Sequence, residues 1–354
     1  MKRIHNLDYL RGLAAFGIMV YHYFSSTLGK FESKDIFGRI GVYGVSIFYI
    51  LSGLTLYLVY KDRMDFSFKD ISNFFIKRFF RIFPLMWLSV FLTIIIVLKD
   101  IPDSYDLILN LTGLFGFINW DKYFAVGLWS IGNELVFYSF FIPFLFLLIN
   151  RKILFFVTCL FVFTLYIYFA FDILAYENSA DFTIVNMWYY YINPLNQLFL
   201  FLSGILIGYL FKEKKENNKL NIVLLFTGIL IFVSYPENGN TINLVSEYSR
   251  LIFSLACVLI CYCFYKVNFN LPEKLHNSLV FLGTISYSLY LLHPIVFHLV
   301  RFGTDYISAH FFTIPFYILI ILSMLLTIFI SYYFFKYFET YFIKLGNKKF
   351  LFKK

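Results

Sequence analysis

The chain has 354 residues, 60% of them hydrophobic and only 14% charged, against about 25% charged in an ordinary soluble domain. One soluble core could not hide that much apolar surface, so the fold expected is an all-α, polytopic integral membrane helix bundle. The net charge of +9 does not point to a nucleic-acid partner, because the cationic residues are spread through short loops between apolar stretches.

The first apolar stretch, 7–28, is long enough to cross a bilayer at about 1.5 Å per residue. It nevertheless carries Asp8, Arg11 and His22. A charge at the centre of a span costs about 2.5–3.5 kcal/mol even on the milder insertion scale, so such groups turn toward protein or a watered cavity. Arg11 and His22 project within ~20° of each other and lie ~16 Å apart along the axis. Asp8 shares a neighbouring face with Arg11. A polar stripe on the inside of the helix is expected, and the stretch does not resemble a cleavable signal peptide.

A second span follows at 41–60 and a third at 82–98. The third is approached through Lys77, Arg78 and Arg81, interleaved with phenylalanines. Arg78 and Arg81, three apart, form a fork of donors suited to phosphate, with Lys77 and Arg11 near the same membrane face; a plain cationic anchor is the other reading. No Gly-rich phosphate loop is present, which argues against a nucleotide-hydrolysing motor. Residues 107–119 are apolar but short and interrupted by Gly113 and Gly116. They read as a re-entrant or interfacial piece on the outer side.

In the fourth span, 129–149, Ser130, Glu134 and Tyr138 share one helical face. Counting from opposite ends places Glu134 and His22 at similar depth, within about a turn. A carboxylate on one imidazole nitrogen would fix the tautomer and raise the basicity of the other, which suits a general base. A protonated glutamic acid and a structural histidine are the bland alternatives.

Spans at 153–171, 189–211, 221–235 and 248–265 follow, the last containing Arg250. The outer loops among them, 172–188 and 236–247, are neutral to acidic, with Asp172, Glu177, Asp181, Glu237 and Glu247; the run from Lys212 to Lys219 is a solvated loop. All four cysteines fall in apolar segments and suggest neither disulfides nor zinc, and no metal is expected. In the ninth span, 278–300, Ser286, Tyr290 and His293 share a face within helical error, and Pro294 can kink the helix. They line a substrate path or simply bond between helices. A tenth span, 313–335, completes a membrane domain over 1–340, followed by a basic tail, 341–354.

Alternate loops then hold 22 of the 30 Lys and Arg residues on one side and six on the other. That asymmetry places both termini in the cytoplasm.

Six local patterns occur in order: LDYLRGLAAFGIMVYH, GVYGVSIFYILSGL, KRFFRIFPLMW, LWSIGNELVFYSFFIP, FLSGILIG and LGTISYSLYLLHP. Together they resemble the membrane-bound acyltransferase-3 family, whose members O-acylate cell-surface carbohydrates and other hydroxyl acceptors. The resemblance implies a multi-pass protein of the cell membrane that moves an acyl group, most often acetyl, from cytoplasmic acetyl-CoA or another acyl-CoA to a carbohydrate. It places the family's histidine and arginine on His22 and Arg11, its RxxR pair on Arg78 and Arg81, and its acidic residue on Glu134. The esterase-like C-terminal domain of some relatives is not expected in this chain. The pantetheine arm of CoA, roughly 15–20 Å long, is comparable to the rise from Arg11 to His22. A transporter or flippase of a polysaccharide precursor is the alternative. It predicts interrupted helices repeated in two halves, and no such repeat is evident.

Overall fold

The structure, a computed structural model, describes residues 3–98, 100, 102–175, 182–212 and 217–348. Lys2, Lys99, Glu177, Asp181, the middle of the 212–219 run and the last six residues of the expected tail lie outside them. The helices are α1 (His5–Leu28), α2 (Ile36–Tyr60), α3 (Phe68–Thr93), α4 (Ser104–Thr112), α5 (Phe115–Ile118), α6 (Leu128–Asn150) and α7 (Lys152–Tyr168). Then come α8 (Trp188–Tyr191), α9 (Pro194–Phe211), α10 (Asn218–Ser234), α11 (Glu247–Lys266), α12 (Glu273–His310), α13 (Phe316–Tyr333) and α14 (Thr340–Lys348). Single π-helical turns extend α3 and α7 and join α13 to α14. No strand occurs among the described residues.

Eight of these helical stretches are long and apolar enough to cross a membrane. The charged α1 and the 17-residue α10 bring the bundle to about ten. Each expected span falls on helical structure, 189–211 being divided between α8 and α9. Residues 107–119 fold as α4 and α5, broken at Gly113 and each too short to cross; Phe115 is fully buried beneath α6.

Burial sorts the helices into a centre and a rim. The apolar window of α2 is 78% buried, whereas those of α7 and of α13–α14 are 28% buried. Rim helices turn Ile153, Leu160, Phe226 and Leu325 outward, as lipid-facing surfaces do. Close seams pull the centre together. A Cβ on Gly12 would sit 2.5 Å from the backbone nitrogen of Gly283, and one on Gly283 would meet the backbone of Asp8. Between α2 and α9, Gly53 and Gly204 each lie against the other helix's backbone in the same way. Small residues at helix contacts are what bilayer packing favours, since dispersion falls off steeply with separation.

Two buried arginines serve the scaffold. Arg39 donates to the carbonyls of Phe232, Val233 and Tyr235 at the end of α10, at 3.0, 2.6 and 2.7 Å, groups that a helix terminus leaves without partners. Arg250 donates to Asn196 and stacks over Tyr166, 4.1 Å from the ring centroid.

Contacts among loops and helix ends separate the bundle into two faces. On one, Asn6 donates to the Val267 carbonyl at 2.6 Å, and Lys212 meets Asp62 at 2.8 Å. That ammonium holds the Asp62 carboxyl below its ordinary value. On the other, the Ser33 amide donates to Gly239 at 2.8 Å and the Trp120 indole to Tyr189 at 2.8 Å. The same division follows from the cationic count. Residues 341–348, read as the start of a basic tail, are helical, and Gly346 of α14 packs on Phe80 of α3.

Candidate active site: two chambers back to back

The first chamber, about 260 Å³, opens among α1, α2, α3, α6 and α12. Its lining includes Arg11, Arg78, Arg81, Ser130, Glu134, Tyr138, Ser286 and Tyr290. Eight residues singled out from sequence on four helices thus meet in one cavity. Spacing explains the α6 contribution: Ser130, Glu134 and Tyr138 fall one turn apart. Arg78 and Arg81 enter from α3, within two turns before Pro84, and Arg11 from α1.

Three guanidinium groups dominate the electrostatics, and two of them share one carboxylate. Glu134 Oε1 accepts from the Ser52 hydroxyl at 3.0 Å, and the Glu134 charge acts on both Arg11 and Arg78. Arg78 lies over the rings of Phe74 and Tyr138, at 5.9 and 5.8 Å. Its Nε is buried without a partner. A donor left open in a cationic chamber fits an anionic ligand such as phosphate. Arg81 carries a further interaction with Glu339, the buried carboxylate that accepts from Ser288.

A vestibule of about 270 Å³ shares Arg11, Thr55 and Val59 with this chamber and adds Arg3, Asp8 and Arg63. Asp8 bridges Arg3 at 2.7 Å and Arg11 at 3.6 Å. It is therefore placed at the mouth, not inside. Lys77 is exposed and lines neither cavity, so the fork is built by Arg78 and Arg81 without it.

His22 lies elsewhere. It lines a separate cavity of about 300 Å³ with Ser26, Thr93, Pro294, His298 and Arg301, on the face opposite the vestibule. The direct His22–Glu134 contact expected from matching depth is not formed among the described residues: Glu134 is bonded to Ser52, and the ring nearest His22 across the helix interface is His293, with centroids 5.2 Å apart. Equal depth on two helices constrains height and leaves the direction around each helix axis open. His293, open from sequence to a substrate-lining role or to bonding between helices, is 1% exposed and packs against His22.

Tyr290 stands between the chambers. Its hydroxyl pairs with Ser130 Oγ at 2.7 Å, and its ring lies 5.7 Å from Phe48 and 6.1 Å from His293. Sequence reasoning missed Ser52, Tyr49, Tyr287 and Glu339. The first three are short or aromatic polar residues in strongly apolar runs, and the SG pair at 52–53 was the one available sign of a close, polar helix contact. Among the described residues, no three His, Cys, Asp or Glu side chains gather as a metal site.

The fold and these cavities define a multi-pass membrane protein with a cationic chamber on one face and a histidine-lined cavity on the other. The acyltransferase-3 profile, described as an acyltransferase domain, matches residues 4–335. Proteins provisionally named O-acetyltransferases in Staphylococcus aureus strains COL, MSSA476 and MRSA252 are each 27% identical over 378 residues, covering 98% of this chain. The chain spans 58% of the length of those relatives. No solved structure matches it. The chain belongs to the acyltransferase-3 family.

Proposed function

We propose that the protein is a membrane O-acyltransferase that moves an acyl group, most simply acetyl, from acyl-CoA to a hydroxyl of a cell-surface or exported carbohydrate. The face rich in Lys and Arg is cytoplasmic on this reading, which puts both termini there and the His22 cavity on the outer side of the cell membrane. The observation that carries the proposal is the back-to-back arrangement: an arginine-lined chamber reached from one face, and a histidine-lined cavity reached from the other, with Tyr290 between them.

Arg78, Arg81 and Arg11 bind the phosphates of the donor, and the chamber admits its pantetheine arm toward Tyr290. His22 removes the proton from the acceptor hydroxyl. The acceptor oxygen attacks the thioester carbonyl carbon, the C–S bond breaks, and the thiolate recovers a proton as free CoA. Glu134 serves the donor side by holding the guanidinium groups in place. Incubation of purified protein with labelled acetyl-CoA and a candidate polysaccharide tests the proposal: label should appear in alkali-labile ester linkage. Label that stays in acetyl-CoA across a panel of carbohydrate acceptors would count against it.

A further inference from the structure

His293 carries a buried nitrogen that the proposed chemistry leaves unused. Its Nδ1 lies 3.1 Å from the Leu289 carbonyl one turn back. Pro294, the next residue, has no N–H, so the Tyr290 carbonyl lacks its helical donor; the imidazole meets that carbonyl too. The Leu289 carbonyl holds the proton on Nδ1, and in a neutral imidazole the lone pair is then on Nε2. That Nε2 is fully buried and has no partner.

The neighbours narrow what can satisfy it. The Tyr23 hydroxyl is committed to the His293 carbonyl at 3.0 Å and to Thr327 at 2.6 Å. The Tyr290 hydroxyl is committed to Ser130. The His22 ring is 5.2 Å away centroid to centroid and tilted by 32°. At that separation a nitrogen of each ring reaches hydrogen-bond range, about 2.7–3.2 Å, when both lie near the line joining the ring centres.

We propose that His293 is the positioning residue for His22: its Nε2 accepts the His22 N–H and thereby turns the other His22 nitrogen, with its lone pair, into the outer cavity. This rests on His22 being the general base. It supplies the orientation that a carboxylate provides in other histidine-based sites, and a neutral imidazole does so without placing a negative charge in the bilayer.

The test compares two near-isosteres, His293→Gln and His293→Met, which differ in whether an oxygen acceptor is present. Transfer from labelled acetyl-CoA is measured in full-length protein of matched amount and melting temperature. His293→Met should lower kcat about 100-fold with KM for acetyl-CoA within twofold of native, and His293→Gln should recover at least tenfold over Met. Equal kcat for the two variants, or a Met variant within threefold of native, would overturn the proposal. A readout independent of turnover is the rate at which diethyl pyrocarbonate modifies His22, mapped by peptide mass spectrometry. It should fall in His293→Met, or in His293→Leu if the Met variant does not accumulate, and an unchanged rate contradicts the proposal. His22→Ala separates the two levels. Loss of transfer there with equal Gln and Met variants sinks only the His293 role, whereas full transfer by His22→Ala sinks the general-base reading itself.

Discussion

A guanidinium inside a bilayer is tolerated where something balances it, and the three in the first chamber are balanced only partly. Glu134 faces Arg11 and Arg78, while the buried Nε of Arg78 has no acceptor. A charge-assisted hydrogen bond contributes about 1.5–3 kcal/mol, so Arg78→Ala should raise KM for acetyl-CoA about tenfold to a hundredfold with a smaller change in kcat. An unchanged KM removes the phosphate role. Arg78→Lys should recover little of the loss, because an ammonium lacks the guanidinium's planar fork of donors. Glu134→Gln keeps the Ser52 bond but removes the charge between the arginines. It should change donor KM more than it changes the rate of a saturated enzyme. A pure loss of kcat with unaltered KM would instead return Glu134 to the side of His22. The identity of these residues could be read from sequence because each is a polar group in a costly place. Their pairing could not, since spacing along one helix says nothing about which side chain of another helix it meets.

Among elements, α1 and α12 make the contact on which both cavities depend. Gly12 and Gly283 let the backbones touch, and from that seam Arg11 reaches the arginine-lined chamber and His22 the histidine-lined cavity. Overpacking costs typically about 1–3 kcal/mol where side chains can yield, and more against backbone. Gly283→Leu should therefore depress the melting temperature and abolish transfer, while Gly303→Leu, at a glycine with open space around it, should leave the melting temperature unchanged. Similar melting temperatures for the two would show that the seam is not tight. The glycines were visible in the sequence as part of the LRGLAAFG and LGTISYS patterns, but their contact across 271 positions of chain was not. Element existence was far more legible. Apolar runs of spanning length gave every large helix, and the short 107–119 stretch, interrupted by glycine, folds as two pieces that do not cross.

At the scale of the whole molecule, the charge count and the loop contacts agree on which loops share a face. Lys69 lies on the face joined by the Asp62–Lys212 bridge, and Asp121 on the face joined by Trp120 and Tyr189. With Cys159 replaced by serine, Asp121→Cys should react with a membrane-impermeant maleimide on intact cells, and Lys69→Cys only after permeabilisation. The reverse pattern would invert the bundle and with it the donor and acceptor sides. The two-sided layout was readable because positive charge is excluded from one side of the membrane during insertion. The partition at Tyr290 was not, because it depends on where side chains from α2, α6 and α12 converge.

The central claim is acyl transfer between the two chambers, and the direct measurement is ester-linked label on a carbohydrate after incubation with labelled acetyl-CoA, for the native protein beside His22→Ala at equal protein level. The account predicts alkali-labile label with the native protein and a loss of at least a hundredfold in the variant. Undiminished labelling by His22→Ala would contradict it.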